Sequence, residues 1–231
     1  MTTLETIRNA FSGAFNQVAE CVAYAPGRVN LIGEHTDYSG LPALPMAIDR
    51  GTFIAVAGDE SGVVEVRSEQ FAGVARLTRA VPDAGAGEPW QRYIAGALAE
   101  LAEVSPGRGA RVLVSGDLPT AGGLSSSSAL TVGLIAGLAA AWGERLAPEE
   151  AARRAIIAEK HVGVETGGMD QQVIALGKGG QALRIDFLPP ATRYVPIPEE
   201  LRFVVAASGE EAPKGTAARE AYNERVVAAR A

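Results

Sequence analysis

Apolar residues recur along the chain with two periods. Leu4, Ile7, Phe11, Phe15 and Val18 are separated by three or four positions, which predicts an amphipathic helix over residues 4–18. Short β-rich runs at 21–24, 46–48, 52–57 and 63–67 predict strands, with a glycine-bounded turn at 58–62 between the last two. Residues 82–89 hold two glycines, two prolines and two acidic residues and predict a surface loop, followed by helical spacing over 90–104. Residues 111–115 alternate like a strand, and 130–142 form an apolar helix. Pro148-Glu149-Glu150 is a good opening for a helix over 148–161. Beyond it, 172–176 reads as helix, 182–187 and 202–206 as strands, and 216–231 as helix. The order of elements implies a mixed α+β fold.

Composition narrows the function classes. With 231 residues, 47% hydrophobic and 21% charged, the chain is an ordinary globular protein of one large domain or one and a half. A net charge of −6 without like-charge blocks argues against a nucleic-acid face or an anionic-membrane patch. Cys21 has no second cysteine to pair with, and two histidines complete a set too small for structural zinc. Residues 1–15 lack a basic stretch followed by an apolar one, so no secretory leader is expected. The apolar run at 129–142 falls short of the roughly 20 residues that span a bilayer. A cytoplasmic, reducing environment is the expectation.

The segment with most chemistry lies between the strand at 111–115 and the apolar helix. Gly122-Gly123-Leu124-Ser125-Ser126-Ser127-Ser128 puts a glycine-rich loop at a helix N-terminus, where free backbone N–H groups can receive phosphate. Serine hydroxyls add donors, and one could ligate magnesium. It is not a Walker sequence, because no lysine follows the second glycine. A plain turn with one capping serine is the rival reading, but a cap uses one hydroxyl and the run supplies four.

Two polar clusters accompany it. Gly33-Glu34-His35-Thr36-Asp37-Tyr38 packs two carboxylates and an imidazole into one loop, suited to several hydroxyls of a polyol, after Arg28 and Asn30 in an otherwise apolar strand. Gly167-Gly168-Met169-Asp170-Gln171 places a carboxylate at a helix start, where it either caps the helix or, beside an arginine, orients the proton of an attacking hydroxyl. Glu159 is one of many helix glutamates when read alone. Cys21 and His161 suggest no function.

These residues carry a family resemblance. The run from Gly27 through Arg28 to Tyr38 resembles the galactokinase signature. Gly122 to Ala129 is similar to the phosphate-binding motif of the GHMP kinase superfamily, and the segment around Asp170 resembles the galactokinase stretch with the catalytic aspartate. The resemblance covers about residues 20–230. It implies the GHMP kinase fold, with an N-terminal domain like domain 2 of ribosomal protein S5, over residues 1–207. Residues 208–231 would then open a truncated C-terminal domain.

In function the resemblance implies a kinase that uses ATP and Mg2+ to phosphorylate the anomeric hydroxyl of galactose. Asp170 and Arg28 would be the catalytic pair, and Glu34, His35, Asp37, Gly167 and Asp170 would contact the sugar. Gly122, Gly123, Leu124, Ser125, Ser126, Ser127 and Ser128 would hold the ATP phosphates, with Ser127 and Glu159 toward magnesium. The segment 159–170 is one residue shorter than in typical bacterial galactokinases. That length and the four-serine run resemble the N-acetylgalactosamine kinase and plant-type branch, so the sugar stays open. The family's third, glycine-rich motif is absent, which leaves an inactive sugar-binding fragment or regulator as the rival from another class. A mevalonate or homoserine kinase fits poorly with the polar loop at 34–37.

Overall fold

A computed structural model describes residues 2–78, 88–119, 122–206 and 216–230. Helix α1 (Leu4–Phe15) leads into strands β1 (Cys21–Asn30), β2 (Pro45–Asp59), β3 (Val63–Ser68) and β4 (Val74–Thr78). Then come α2 (Pro89–Glu100), β5 (Gly109–Gly116), α3 (Ser126–Ala141), α4 (Pro148–His161) and α5 (Met169–Leu176). The hairpin β6 (Gln181–Phe187) and β7 (Pro190–Pro196) precedes α6 (Thr216–Arg230).

The main sheet has the order β1-β2-β5-β3-β4, antiparallel except for the β3–β5 pair. Its central strands are buried on both faces, which is why they read as continuous apolar runs. Along β2, Ile54 and Val56 join the large core while Ala55 and Ala57 face the opposite way. Val112 and Val114 of β5 likewise join the large core, and Leu113 turns away. Ile7 and Phe11 of α1 close the smaller face. The larger face takes α3, whose Gly133 and Gly137 let the helix lie close on Ile54 and Val56: a Cβ on Gly133 would be 2.8 Å from Ile54 Cγ1. Helices α2 and α4 pack outside α3, so α3 is apolar all round.

The α+β expectation holds, and the helix over 148–161 has the bounds foreseen. Several details differ. Residues 46–57 belong to one long strand, because β1 pairs along its whole length with a register shift only between Pro26 and Arg28. Strand β4 and the proline-bounded β7 were not foreseen; their mostly exposed side chains give no apolar alternation. Residues 202–206 form no strand: they are exposed, and no neighbour among the described residues pairs with them. Of the loop expected at 82–89, residues 82–87 lie outside the described residues, and Pro89 opens α2. The boundary expected at 207/208 also lies outside them. Among the described residues no helix is long and apolar enough to cross a membrane.

Candidate active site

The site forms where β1, the glycine–serine loop and the start of α5 converge. Gly27 makes this approach possible, since a Cβ there would lie 2.4 Å from Leu118 Cδ1 and 3.0 Å from Leu124 O. The next residue, Arg28, locks the three segments together. Its backbone N–H donates to Leu124 O (3.2 Å), and its Nη1 donates to Gly123 O (2.8 Å). Nε and Nη2 donate to Asp170 Oδ1 (2.6 Å) and Oδ2 (2.9 Å), a bidentate pair. The two side chains are 16% and 24% exposed, so the pair opens to solvent on one side.

The loop before α3 bends through left-handed backbone at Gly123 (φ 67°) and Ser125 (φ 60°). Glycine adopts this freely, but for serine it costs roughly 1–2 kcal/mol. Ser125 occupies the N-cap position without capping the helix; its hydroxyl donates instead to Asp170 Oδ2 (2.5 Å). Deeper in the same helix Ser128 is only 3% exposed and receives a hydrogen bond from Gln171 Nε2 (3.3 Å). Thr131 donates to Ser127 O (3.0 Å).

Across the site, Asp170 follows Gly168 (φ 99°) in the first turn of α5. Gly167 presses on the signature loop so closely that a Cβ would be 2.4 Å from Asp37 Cγ. Burial pushes the Asp37 carboxyl above its ordinary value, against hydrogen bonds from the backbone of Tyr38 and Met169. Glu34 accepts from Asn30 Nδ2 (3.0 Å), while His35 Nδ1 pairs with the Tyr38 hydroxyl (2.8 Å).

Glu159 lies behind the pair. It is 4% exposed, and its Oε1 has no hydrogen-bond partner. Burial raises its pKa from 4.5 to about 7, outweighing hydrogen bonds from Gln171 and Ser128; the charge of Asp170 adds to the rise. A buried, half-satisfied carboxylate is a hard oxygen donor, the ligand type Mg2+ takes. Among the described residues no three His, Cys, Asp or Glu side chains form a metal cluster. A cation held here would therefore draw most of its ligands from phosphate and water.

The comparisons with known proteins agree with this geometry. Residues 9–58 match the galactokinase galactose-binding signature, and residues 92–178 match the GHMP kinases N terminal domain. The solved structure of Lactococcus lactis galactokinase complexed with galactose superposes with a TM-score of 0.81 at 30% identity, covering 98% of this chain and 59% of that one. The chain thus carries a match to the GHMP kinase N-terminal domain. A Methanococcus jannaschii mevalonate kinase shares the GHMP fold, with a TM-score of 0.65 at 21% identity over 76% of this chain and 55% of that one. Among curated relatives, the Chloroflexus aggregans galactokinase is 42% identical over 213 residues, or 90% of this chain and 54% of that protein. The Thermococcus kodakarensis galactokinase is 39% identical over 204 residues, or 87% and 56%. The chain thus spans about half the length of the curated relatives it matches.

Within this GHMP kinase domain, the structure brings Arg28, Asp170, Asp37, Gly167, Gly123, Leu124 and Ser125 together. Ser128 instead faces inward, toward Gln171 and Glu159. Two residues of α6 escaped sequence reasoning. The Tyr222 ring lies 6.1 Å from His35 and 5.9 Å from Tyr38, and burial raises its hydroxyl pKa, helped by the charges of Asp37 and Asp170. Asn223 donates from Nδ2 to Gly163 O (2.9 Å) and accepts from Glu165 N (3.1 Å), tying α6 to the loop before Gly167. A tyrosine and an asparagine some 55 positions beyond that loop carry no local signal; only the fold unites them.

Proposed function

We propose that this chain carries the sugar and phosphate sites of a galactokinase, which transfers the γ-phosphoryl group of ATP to the anomeric hydroxyl of galactose. The observation that carries the reading is the Arg28–Asp170 pair, held between the glycine–serine loop and the packed Asp37–Gly167 corner. In this reading residues 1–207 are the GHMP N-terminal domain and 208–231 begin the C-terminal one.

Galactose lies against Glu34, His35, Asp37 and Gly167 with its O1 toward Asp170. The O1–H proton is oriented by the Asp170 carboxylate and passes to it as O1 attacks the γ-phosphorus. The bond from that phosphorus to the β–γ bridging oxygen breaks, its electron pair leaving on ADP; Asp170 then returns the proton to solvent. Arg28 steadies the negative charge of the reacting oxygens, and the N–H groups of residues 122–128, with the hydroxyls of Ser126 and Ser127, cradle the phosphates. Ser127 and the buried Glu159 would hold a magnesium ion, which would supply positive charge to offset that of the phosphates. The unpartnered Oε1 of Glu159 supports that fit.

Incubation with ATP, magnesium and either galactose or N-acetylgalactosamine, followed by phosphorus NMR, tests the reading. It predicts galactose 1-phosphate and ADP. Turnover of N-acetylgalactosamine alone would reassign the sugar. Binding of either sugar without product would contradict the kinase reading and favour a sugar-binding regulator.

A further inference from the structure

Ser125 breaks two local rules at once. It is a non-glycine residue in left-handed backbone, and it stands at the N-cap of a 16-residue helix without capping it. Glycine would relieve the first cost, and a serine with ordinary backbone angles would avoid both. The serine's hydroxyl is spent on Asp170 Oδ2. A carboxylate offers about four lone-pair directions, of which Arg28 takes two and Ser125 a third. The direction left over is on Oδ1.

We propose that Ser125, beyond lying in the phosphate loop, is a positioning residue for Asp170: its hydroxyl fills the second acceptor site of Oδ2 and so presents Oδ1 to the incoming sugar hydroxyl. The same contact ties the phosphate loop to the catalytic carboxylate, so both substrates are set by one hydrogen bond. The inference rests on the kinase reading above for its consequence, though not for the contact itself.

Two substitutions separate this role from a structural one. Ser125→Gly deletes the hydroxyl and suits the backbone; Ser125→Thr keeps the hydroxyl but strains the backbone further. We expect Ser125→Gly to lower kcat about tenfold or more, with KM for ATP within twofold of the parent and no loss in Tm. Ser125→Thr should lower Tm yet retain more turnover than Ser125→Gly, so the order of activity crosses the order of stability. Activity that simply follows Tm would overturn the proposal. So would a raised KM for ATP at unchanged kcat, the mark of a phosphate ligand alone. A double-mutant cycle on Tm needs no turnover: the shift caused by Ser125→Ala should vanish in an Asp170→Ala background. If it persists there the contact is refuted, whereas an inactive parent with an intact cycle would refute only the kinase reading.

Discussion

Two glutamates on α4 stand nine residues apart and meet opposite fates. Glu150, in the first turn, is gripped by Arg153 (2.7 and 2.8 Å) and Arg154 (2.7 Å), whose hydrogen bonds pull its pKa from 4.5 to about 2. Glu159, in the last turn, is buried behind Asp170 with one oxygen unpartnered, and its pKa rises to about 7. One carboxylate is satisfied by the helix it belongs to. The other is left with an oxygen that no protein group satisfies. Helix and residue type are shared, so the difference is one of environment: paired guanidinium groups lower one carboxyl's pKa, and burial raises the other's.

The largest effect should come from the centre beside Glu159. Arg28→Gln removes the partner of Asp170 and is expected to cut kcat by about 10²–10³-fold, as losing one preorganised donor does, in a coupled ADP-release assay. Loss of under tenfold would mean that the unsatisfied end of the comparison is not the reactive one.

Next is Glu159→Gln, which should abolish most magnesium-dependent turnover while stabilising the metal-free chain. The sign follows from the raised pKa. Below pH 4.5 Glu159 is neutral in both the folded and the unfolded chain. Between pH 4.5 and 7 the unfolded chain ionises first, so stability is lost. The whole loss is on the order of 3 kcal/mol from the shift, read as the gap between parent and Glu159→Gln across denaturant melts at pH 4 and pH 8. A constant gap would break the contrast with Glu150.

Asn223→Ala should act in between. It removes the Asn223 hydrogen bonds to Gly163 O and Glu165 N, costing about 0.5–1.5 kcal/mol each, and loosens the corner that holds Gly167, which a several-fold rise in the galactose KM would reveal. The smallest effect belongs to Glu150→Gln. Its pair is partly exposed, so the loss at pH 7 should stay under about 1 kcal/mol. The lowered pKa sets the window: this stability is present above pH 4.5 and disappears as pH falls through about 2, opposite to the Glu159 trend.

Much of this is legible in the sequence. Local signals marked α4 through Pro148 and the glutamates after it, and the apolar runs of β2 and β5 through their burial on both faces. The polar residues out of place in a strand, Arg28 above all, pointed to the site, because a charge there needs a partner. What stayed hidden was relational. Nothing local in Glu159 separates it from Glu150, since burial depends on how α3, α4 and α5 stack. Residues 202–206 have strand-like composition but no pairing neighbour among the described residues, and Tyr222 and Asn223 acquire meaning only when α6 meets the signature loop. The serine run suggested phosphate, yet Ser125 and Ser128 turn toward protein carboxylates and amides.

The measurement that tests the account most directly is Asp170→Asn, assayed for galactose phosphorylation and, by calorimetry, for galactose binding. Loss of turnover by about 10³-fold or more, with affinity for galactose within tenfold of the parent, is the predicted result. Turnover that survives the substitution would contradict a reaction centred on the Arg28–Asp170 pair.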